Sequence, residues 1–340
     1  MSDQAQAGSR YDVADRAARS WGERLTSWES ILALLLVAVF VVNGLLSPYF
    51  LDLFNLSDAT FNFSEKALVA LPMALLVLVR EIDLSVAATI ALASLAMGLC
   101  AEAGAGTPVL ILVGLCVGLV CGTANGLLVT AVGLPSIVVT IGTMSLFRGI
   151  AQVVLGDQAV TKYPSGLGAI GQGYLVDMPP VPLSFALFLA AAAVAAVVLH
   201  RTALGRQLYA IGNNPVAARF SGVPVDRIRF GLFAVTGLVS GLAAVLLTGR
   251  IGSTRPNIAM GWELEIVTMV VLGGVSIAGG AGTVGGVVLA VFVLGFATFG
   301  LSLVNVPGIV INILLGVLLV AAIAVPVVAG RLMGRAPTRD

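Results

Sequence analysis

The chain has 340 residues, of which 59% are hydrophobic and only 10% are charged, and its net charge is +1. This composition excludes an ordinary water-soluble domain, in which charged residues make up about a quarter of the chain. Apolar runs of about 20 residues recur from Ile31 onward, and helices of that length cross the hydrocarbon layer with every backbone group paired. We therefore predict an all-α polytopic membrane protein with about ten transmembrane helices.

Three regions are predicted along the chain. Residues 1–30 form an N-terminal segment that mixes arginines with acidic residues, lacks the layout of a cleavable signal and is expected to stay in the cytosol. Residues 31–329 form the transmembrane domain, and residues 330–340 form a cytosolic tail. The predicted spans begin near Ile31, Ser64, Leu84, Pro108, Pro135, Leu183, Phe230, Leu264, Thr283 and Pro307.

The distribution of basic residues predicts the orientation of these spans. When the N-terminal segment is placed inside and the spans alternate, most arginines fall on inner loops and tails. The outer loops then hold only Lys66, Lys162, Arg250 and Arg255. An even number of spans with both ends in the cytosol therefore agrees with the positive-inside rule.

The fourth predicted span carries a glycine at every fourth position, which places these glycines on one face and lets a neighbouring backbone approach closely. The ridge glycines are Gly114, Gly118, Gly122 and Gly126, and Gly237 and Gly241 form a shorter copy. Asn125 lies beside this ridge. Two interpretations of Asn125 stay open, a hydrogen bond to another helix or a place in the lining of a translocation path.

The fifth predicted span carries a stripe of hydroxyl groups, at Ser136, Thr140 and Thr143, with Arg148 close to its outer end. Hydroxyls in this arrangement could hydrogen-bond a sugar-like solute. They could equally bond to carbonyl groups of their own helix, which requires no ligand. The sequence leaves both interpretations open.

Several kinds of site are absent from the sequence. The three cysteines, Cys100, Cys116 and Cys121, lie in or at the end of apolar segments and are interpreted as packing residues, so we expect no metal site and no cofactor. A Walker-type ATP site requires a lysine after glycine, and neither Lys66 nor Lys162 follows one. The acidic residues lie near predicted span ends, which disfavours an ion-coupled carrier.

Residues 201–229 form a loop with five arginines and a single acid, Asp226, between two apolar segments. Within it, Asn213 or Asn214 can cap free amide groups, Pro215 favours a first helical turn and Gly222 can end the helix. The pattern predicts a short helix about two turns long, with the side chains of Val216 and Phe220 four positions apart on one face.

This face is predicted to be a docking surface. Val216 and Phe220 would form an apolar knob, with the small residues Ala217 and Ala218 beside it, and Arg219 would offer a charge to an acidic partner. The alternative interpretation is a plain basic loop on the cytosolic side.

Two glycine-rich passages, Val79–Gly98 and Leu272–Gly295, each join two apolar spans through a short polar turn. Duplicated halves commonly surround a central route in transporters, and these passages predict a weak internal duplication. Composition alone could also produce this similarity.

Four segments together carry a resemblance to a known family. They are IDLSVAA at 82–88, NGLLVTAVGLPSIVVTIGTMSLFRG at 125–149, TALGRQLYAIGNNPVAARFSGVPVDRIR at 202–229 and VVLGGVSIAGGAGTVGGVVLA at 270–290. From about Ser47 to Val325, the chain resembles the permease subunits of bacterial ATP-binding-cassette importers of the ribose, xylose, arabinose and autoinducer-2 group. The common family form has glycines where this chain has Arg80 and Glu81, and a glycine where it has Ala87. This variant is similar to rhamnose-type importer permeases.

The resemblance implies a set of partners in the bacterial inner membrane. A second permease chain, identical or not, would complete the path, and two cytosolic ATPase subunits or one double-ATPase chain would dock beneath it. A solute-binding protein would dock outside, and membrane lipids but no nucleic acid would contact the chain. The solute would be rhamnose, another sugar or autoinducer-2. A stand-alone ion-coupled carrier and a membrane scaffold are the rival hypotheses.

The resemblance also implies roles for particular residues. The family's coupling helix matches the segment from Asn213 to Val223, with Gly205 and Gly222 as its bounds. Docking of the binding protein is assigned to Lys162, Arg250 and Arg255. Asn125, Ser136, Thr140 and Thr143 are assigned to the translocation path, and the chain itself is expected to perform no bond chemistry.

Overall fold

The computed structural model describes residues 27–176 and 178–332. Most of the predicted N-terminal segment and of the predicted C-terminal tail therefore lies outside the described residues. The helices, in chain order, are α1 (Trp28–Leu46), α2 (Leu53–Leu78), α3 (Val86–Glu102), α4 (Thr107–Thr130), α5 (Ser136–Leu155), α6 (Ser165–Gly171), α7 (Leu183–Arg201), α8 (Ala203–Asn213), α9 (Pro215–Phe220), α10 (Val225–Ile251), α11 (Trp262–Leu272), α12 (Val284–Leu303) and α13 (Gly308–Leu332). Two short strands, β1 (Tyr174–Val176) and β2 (Val181–Pro182), pair antiparallel between α6 and α7.

Seven helices of the described residues are long and apolar enough to cross a membrane: α1, α2, α4, α5, α7, α10 and α12. Helix α3 and the part of α13 from Gly308 to Val320 are shorter apolar helices by the same measure, and α11 has only 11 residues. The prediction of a polytopic helical membrane protein is confirmed at this level. Nine of the ten predicted span starts fall within five residues of a helix start.

The predicted start of the second span, at Ser64, is wrong. Helix α2 begins eleven residues earlier, at Leu53, because the Asp52 side chain accepts hydrogen bonds from the backbone amides of Phe54 and Asn55 at 2.9 and 3.2 Å. Polar residues in the first half of α2 lower its hydropathy and conceal this start. Glu65, which was placed at a span end, therefore lies in the middle of a helix.

The helix connections gather at two ends of the bundle. At the basal end, the turn between α2 and α3, the segment 202–224 and the turn between α11 and α12 contact one another, as in the hydrogen bond from the Gly280 amide to the Leu78 carbonyl. At the distal end, the connections on either side of α6 meet the segment between α10 and α11. Val160 and Thr254 exchange backbone hydrogen bonds there, at 3.1 and 2.8 Å.

The predicted glycine ridge is confirmed, because α4 and α10 pack backbone against backbone. A Cβ atom added to Gly118 would lie 2.3 Å from the Gly237 carbonyl oxygen, and one added to Gly122 would lie 2.3 Å from that of Phe233. Lipid gives no hydrophobic reward for helix association, so close backbone contacts of this kind supply the dispersion energy that joins helices.

Phenylalanine side chains fill the space between α2, α7 and α12. Phe63 lies edge-on to Phe185, Phe292 and Phe296, with ring centroids 5.5 to 6.2 Å apart. Edge-to-face contacts between aromatic rings stabilise a core beyond the area that they bury. This cluster holds α2 against α12 and therefore determines the relative positions of the polar residues on the two helices.

Candidate functional site

The predicted short helix is present as α9, at the basal end. The Asn214 side chain accepts hydrogen bonds from the backbone amides of Val216 and Ala217, each at 3.0 Å, and Pro215 occupies the first helical position. The chain leaves the helix through Gly222, whose φ of +83° favours glycine. The prediction of a capped helix at this place is confirmed.

The outer face of α9 carries large apolar side chains that residues 27–176 and 178–332 leave uncovered. Phe220 is 91% exposed and Val216 is 62% exposed, and we call these two residues the apolar knob. Ala217 is also exposed, whereas Ala218 is buried and holds α9 against the bundle. The capped helix therefore presents the knob in a fixed direction.

One bound of the predicted helix is wrong, and one charged residue of the predicted docking surface is paired within the chain. Gly205 does not bound α9 but lies in the first turn of α8, where a Cβ atom would come within 1.9 Å of the Leu199 carbonyl oxygen. Arg219 does not present a free charge, because its guanidinium bonds to the Asp226 carboxylate at 2.6 Å. Both side chains of this pair are more than half exposed, so solvent screens the interaction and the pair contributes little stability.

Arg80 binds the carboxyl end of α8 to the turn between α2 and α3. Its Nε donates to the Gly212 carbonyl at 2.7 Å, and its Nη2 donates to the Asn213 carbonyl at 2.8 Å. These carbonyls are free at a helix end, where a positive charge is also favoured by the helix dipole. Arg80 itself adopts a φ of +68°, which is left-handed and favours glycine.

A second contact joins the same turn to α10. Glu81 and Arg229 form a largely buried ion pair at 3.0 Å, and Arg229 also donates to the Val79 carbonyl at 3.3 Å. We call Arg80, Glu81 and Arg229 the basal clamp. Two of its members, Arg80 and Glu81, stand where the first motif departs from the form that the resemblance leads us to expect. Two charged side chains thus replace the glycines expected there, and Arg229 on α10 pairs with one of them.

Helix α8 also contacts the turn between α11 and α12. The Tyr209 hydroxyl donates to the Gly282 carbonyl at 2.7 Å, and burial raises the pKa of this hydroxyl above its ordinary value. Helix α8 is thus bound to both glycine-rich turns. The internal duplication suggested by these two turns stays a prediction, and the structure places them side by side.

The four residues assigned to a translocation path are all buried in this chain. Asn125 is fully buried and donates to the Ser85 hydroxyl at 2.8 Å. The hydroxyls of Thr140 and Thr143 donate to carbonyls of their own helix, at 2.8 and 3.1 Å. Asn125 therefore bonds to another part of the bundle, and the two threonines bond to carbonyls of their own helix. These are the bonds expected if the residues have a structural role and do not contact a solute.

Asn125, Ser136 and Thr140 nevertheless contact one feature, the turn between α2 and α3. The Ile82 amide donates to the Ser136 hydroxyl at 3.4 Å, and the Ser85 hydroxyl and amide both donate to one carboxylate oxygen of Asp83, at 2.6 and 2.8 Å. Burial raises the pKa of Asp83, and the two bonds from Ser85 oppose that rise. The hydroxyl stripe of α5 thus supports this turn.

At the distal end, the three basic residues assigned to docking differ in their surroundings. Lys162 and Arg255 are exposed. The Arg250 Nε donates to Glu65 Oε1 at 2.7 Å, and the Glu65 side chain has no exposed surface. This internal pair competes with docking, and the assignment of Arg250 to docking stays a prediction. Sequence reasoning missed Glu65 because it placed this residue at the beginning of a span, where a charge is close to water.

A second ion pair lies next to the first. Lys66 bonds to Glu265 at 2.5 Å, and its ammonium nitrogen lies 5.0 Å from the centre of the Trp262 ring. Arg148, on α5, donates to the carbonyls of Pro256 and Ile258 at 2.9 and 2.7 Å, and so anchors the segment between α10 and α11. Across the part of the chain that the structure describes, no three acidic, cysteine or histidine side chains cluster closely enough to hold a metal ion.

Comparison with known proteins identifies the family. Residues 55–323 match a family described as "Branched-chain amino acid transport system / permease component". The chain belongs to this permease family. The chain is also 35% identical, over 300 residues, to the autoinducer 2 import system permease protein LsrD of Escherichia coli K12, an alignment that covers 87% of this chain and 91% of the relative.

Proteins of the same name from Shigella flexneri and from Escherichia coli O157:H7 match with the same identity and coverage. No solved structure was found to match the chain. The family and these relatives make the chain a permease component of an ATP-binding-cassette importer in a membrane. They do not favour the rival hypothesis of a stand-alone ion-coupled carrier.

Proposed function

We propose that this permease forms half of the translocation path of an ATP-driven importer for a monosaccharide or sugar-like solute. The other half is a second permease chain, identical or not, and the assembly contains two cytosolic ATPase subunits or one double-ATPase chain. A solute-binding protein delivers the solute from outside. The relatives are named for autoinducer 2 import, which supports autoinducer 2 among the candidate solutes, beside rhamnose and other sugars.

We also propose ten crossings of the bacterial inner membrane, with both ends of the chain in the cytosol. The basal end then faces the cytosol, which is supported by the arginines that it carries in the segment 201–229 and in the basal clamp. Helices α3, α11 and α13 supply the three crossings beyond the seven long helices. The distal end, with the exposed residues Lys162 and Arg255, faces the solute-binding protein.

The single observation that carries the coupling proposal is the exposure of Phe220 on a helix that is capped at both ends. A large apolar side chain held rigidly outside the bundle is typical of a protein docking site. In the proposed mechanism, ATP brings the two ATPase subunits together, and each ATPase subunit moves the knob seated in its groove. The basal clamp and Tyr209 pass this motion to the two glycine-rich turns, and the path opens outward.

We propose a modified role for the four residues that were assigned to the translocation path. Asn125, Ser136, Thr140 and Thr143 are shielded in this state, so a direct contact with solute requires the turn between α2 and α3 to move. Their proposed role is to hold that turn in place until the coupling helix displaces it.

Co-expression of the permease with the ATPase encoded beside it tests the docking proposal. Phe220→Asp places a charge where the knob enters the partner and is expected to abolish co-purification of the ATPase. Leu175→Asp, an exposed apolar residue on β1 at the distal end, is the matched control and is expected to retain it. Retention of the ATPase by Phe220→Asp contradicts docking at α9. Uptake by the permease alone, driven by a proton or sodium gradient, contradicts the importer.

A further inference from the structure

Helix α2 carries a polar stripe that is unusual for a membrane-spanning helix. It consists of Asn55, Asp58, Asn62 and Lys66, at spacings of three or four residues, so the four side chains share one face. Around this stripe α2 is largely buried. Polar side chains in a membrane helix are costly, and those that persist face a partner or a water-filled cavity. Asp58, Asn62 and Lys66 of this stripe line cavities.

Three adjoining cavities of about 490 to 510 Å³ each meet at Arg250, and we call them together the distal cleft. Trp262 and Asn62 each line two of the three. The branch between α2, α11, α12 and α13 adds Thr298, Ser302 and Asn312 to the lining. Ligand sites in proteins have volumes of roughly 300 to 1,000 Å³, so one branch is large enough for a single sugar ring.

The charges of the branch between α2, α11, α12 and α13 are paired within the chain, whereas the other two branches also hold Asp58 and Arg255. In that branch Arg250 is neutralised by Glu65, and Lys66 is neutralised by Glu265. Its remaining polar side chains are amides and hydroxyls. The hydroxyls of Thr298 and Ser302 donate to carbonyls of α12 and can accept from a solute, and the Asn312 amide can both donate and accept. Aromatic rings of Trp262, Phe61 and Tyr174 border the same space. This chemistry suits a neutral polyhydroxylated molecule with apolar ring faces, rather than an ion.

We infer that the distal cleft is a solute subsite within this chain, which receives a neutral monosaccharide-like molecule after its binding protein releases it. This inference rests on the proposed function, which makes the distal end the outer face. The amide of Asn312 and the hydroxyls of Thr298 and Ser302 contact the solute, and the two ion pairs hold α2, α10 and α11 in place around it. The subsite differs from the buried stripe on α5.

Protection of an introduced cysteine tests the subsite directly. The chain is used with Cys100, Cys116 and Cys121 replaced by alanine, and it carries either Asn312→Cys in the cleft or, as a matched control, Lys162→Cys on the exposed distal loop. A membrane-impermeant maleimide is applied with L-rhamnose or D-ribose at high concentration, or with glycine betaine at equal osmotic strength. We expect a sugar to slow labelling of Asn312→Cys several-fold and to leave Lys162→Cys unchanged.

Two results overturn the inference. Equal labelling of Asn312→Cys with and without either sugar shows that the cleft binds neither of them. Failure to label Asn312→Cys while Lys162→Cys reacts shows that lipid or another chain fills the cleft. In the assembled importer, Asn312→Ala is expected to raise the KM for uptake by about tenfold, as loss of one or two hydrogen bonds predicts. Co-purification of the ATPase tests the proposed function separately, and Asn312→Ala leaves it unchanged.

Discussion

Glu65 is the most deeply buried charged side chain of the distal end, and it depends on Arg250. Its second carboxylate oxygen is buried and has no hydrogen-bond partner within the described part of the chain, so Arg250 is its main compensation. Removing two charges from water costs about as much as their mutual attraction returns, so such a pair adds little stability in itself. Breaking it is costly, because one charge then remains buried alone.

We predict that Glu65→Gln lowers the free energy of unfolding by about 3 kcal/mol, because Arg250 loses its counter-charge in a largely buried position. The double variant Glu65→Gln, Arg250→Gln is expected to recover most of this loss. Thermal unfolding in detergent micelles measures both. Asp226→Asn, which breaks the exposed pair with Arg219, is the control and should cost less than about 1 kcal/mol. Equal losses in Glu65→Gln and in the control would contradict the argument.

At the scale of elements, the contact between α4 and α10 leaves no room for a side chain. We predict that Gly118→Ala destabilises the bundle by about 3 kcal/mol or more, because the new methyl group must push apart two backbones. Gly142→Ala is the matched control, since a Cβ atom there meets nothing within 4 Å. It should be neutral or stabilising by up to about 1 kcal/mol through helix propensity. A similar melting temperature for both variants would show that α4 and α10 are not in backbone contact.

A substitution in the turn between α2 and α3 can change the coupling of ATP hydrolysis to transport with little change in the stability of the fold. Arg80→Gly relieves a left-handed conformation but removes two hydrogen bonds, so we expect its unfolding free energy to change by less than about 1 kcal/mol. The basal clamp is lost, and we expect fewer solute molecules to be transported per ATP hydrolysed in proteoliposomes. Arg201→Ala, an exposed basal arginine, should leave this ratio unchanged. An unchanged ratio in Arg80→Gly would remove the clamp from the coupling route.

Some elements could be predicted from the sequence because their signals are local. The cap, proline and terminal glycine of α9 lie within ten residues, and the glycine ridge repeats within one helix. The start of α2 was missed because its polar stripe resembles a loop when hydropathy is averaged. The partner of Glu65 lies 185 positions away, and the contacts of Arg80 lie more than 130 positions away. Such contacts depend on the packing of whole helices, which local patterns do not encode.

At the scale of the whole molecule, the alternation of helices between the two ends predicts the topology. In a chain without native cysteines, Gln172→Cys at the distal end should react with an impermeant reagent on intact spheroplasts. Arg227→Cys at the basal end should react only after the membrane is permeabilised. Both side chains are exposed, so differences in burial do not explain the contrast. Reaction of Arg227→Cys on intact spheroplasts would reverse the orientation.

Helix α10 spans the molecule without interruption, from the residues just after α9 to Arg250 in the distal cleft. Its 27 residues make a rod about 40 Å long, and α4 stiffens it along one side. A tilt of about 3° at the base would swing the far end by about 2 Å, which is enough to break a hydrogen bond. A movement of an ATPase at the basal end would then displace Arg250 relative to the Glu65 carboxylate through one rigid helix. The distal cleft would change shape at the same time, and its contacts with a bound solute would weaken.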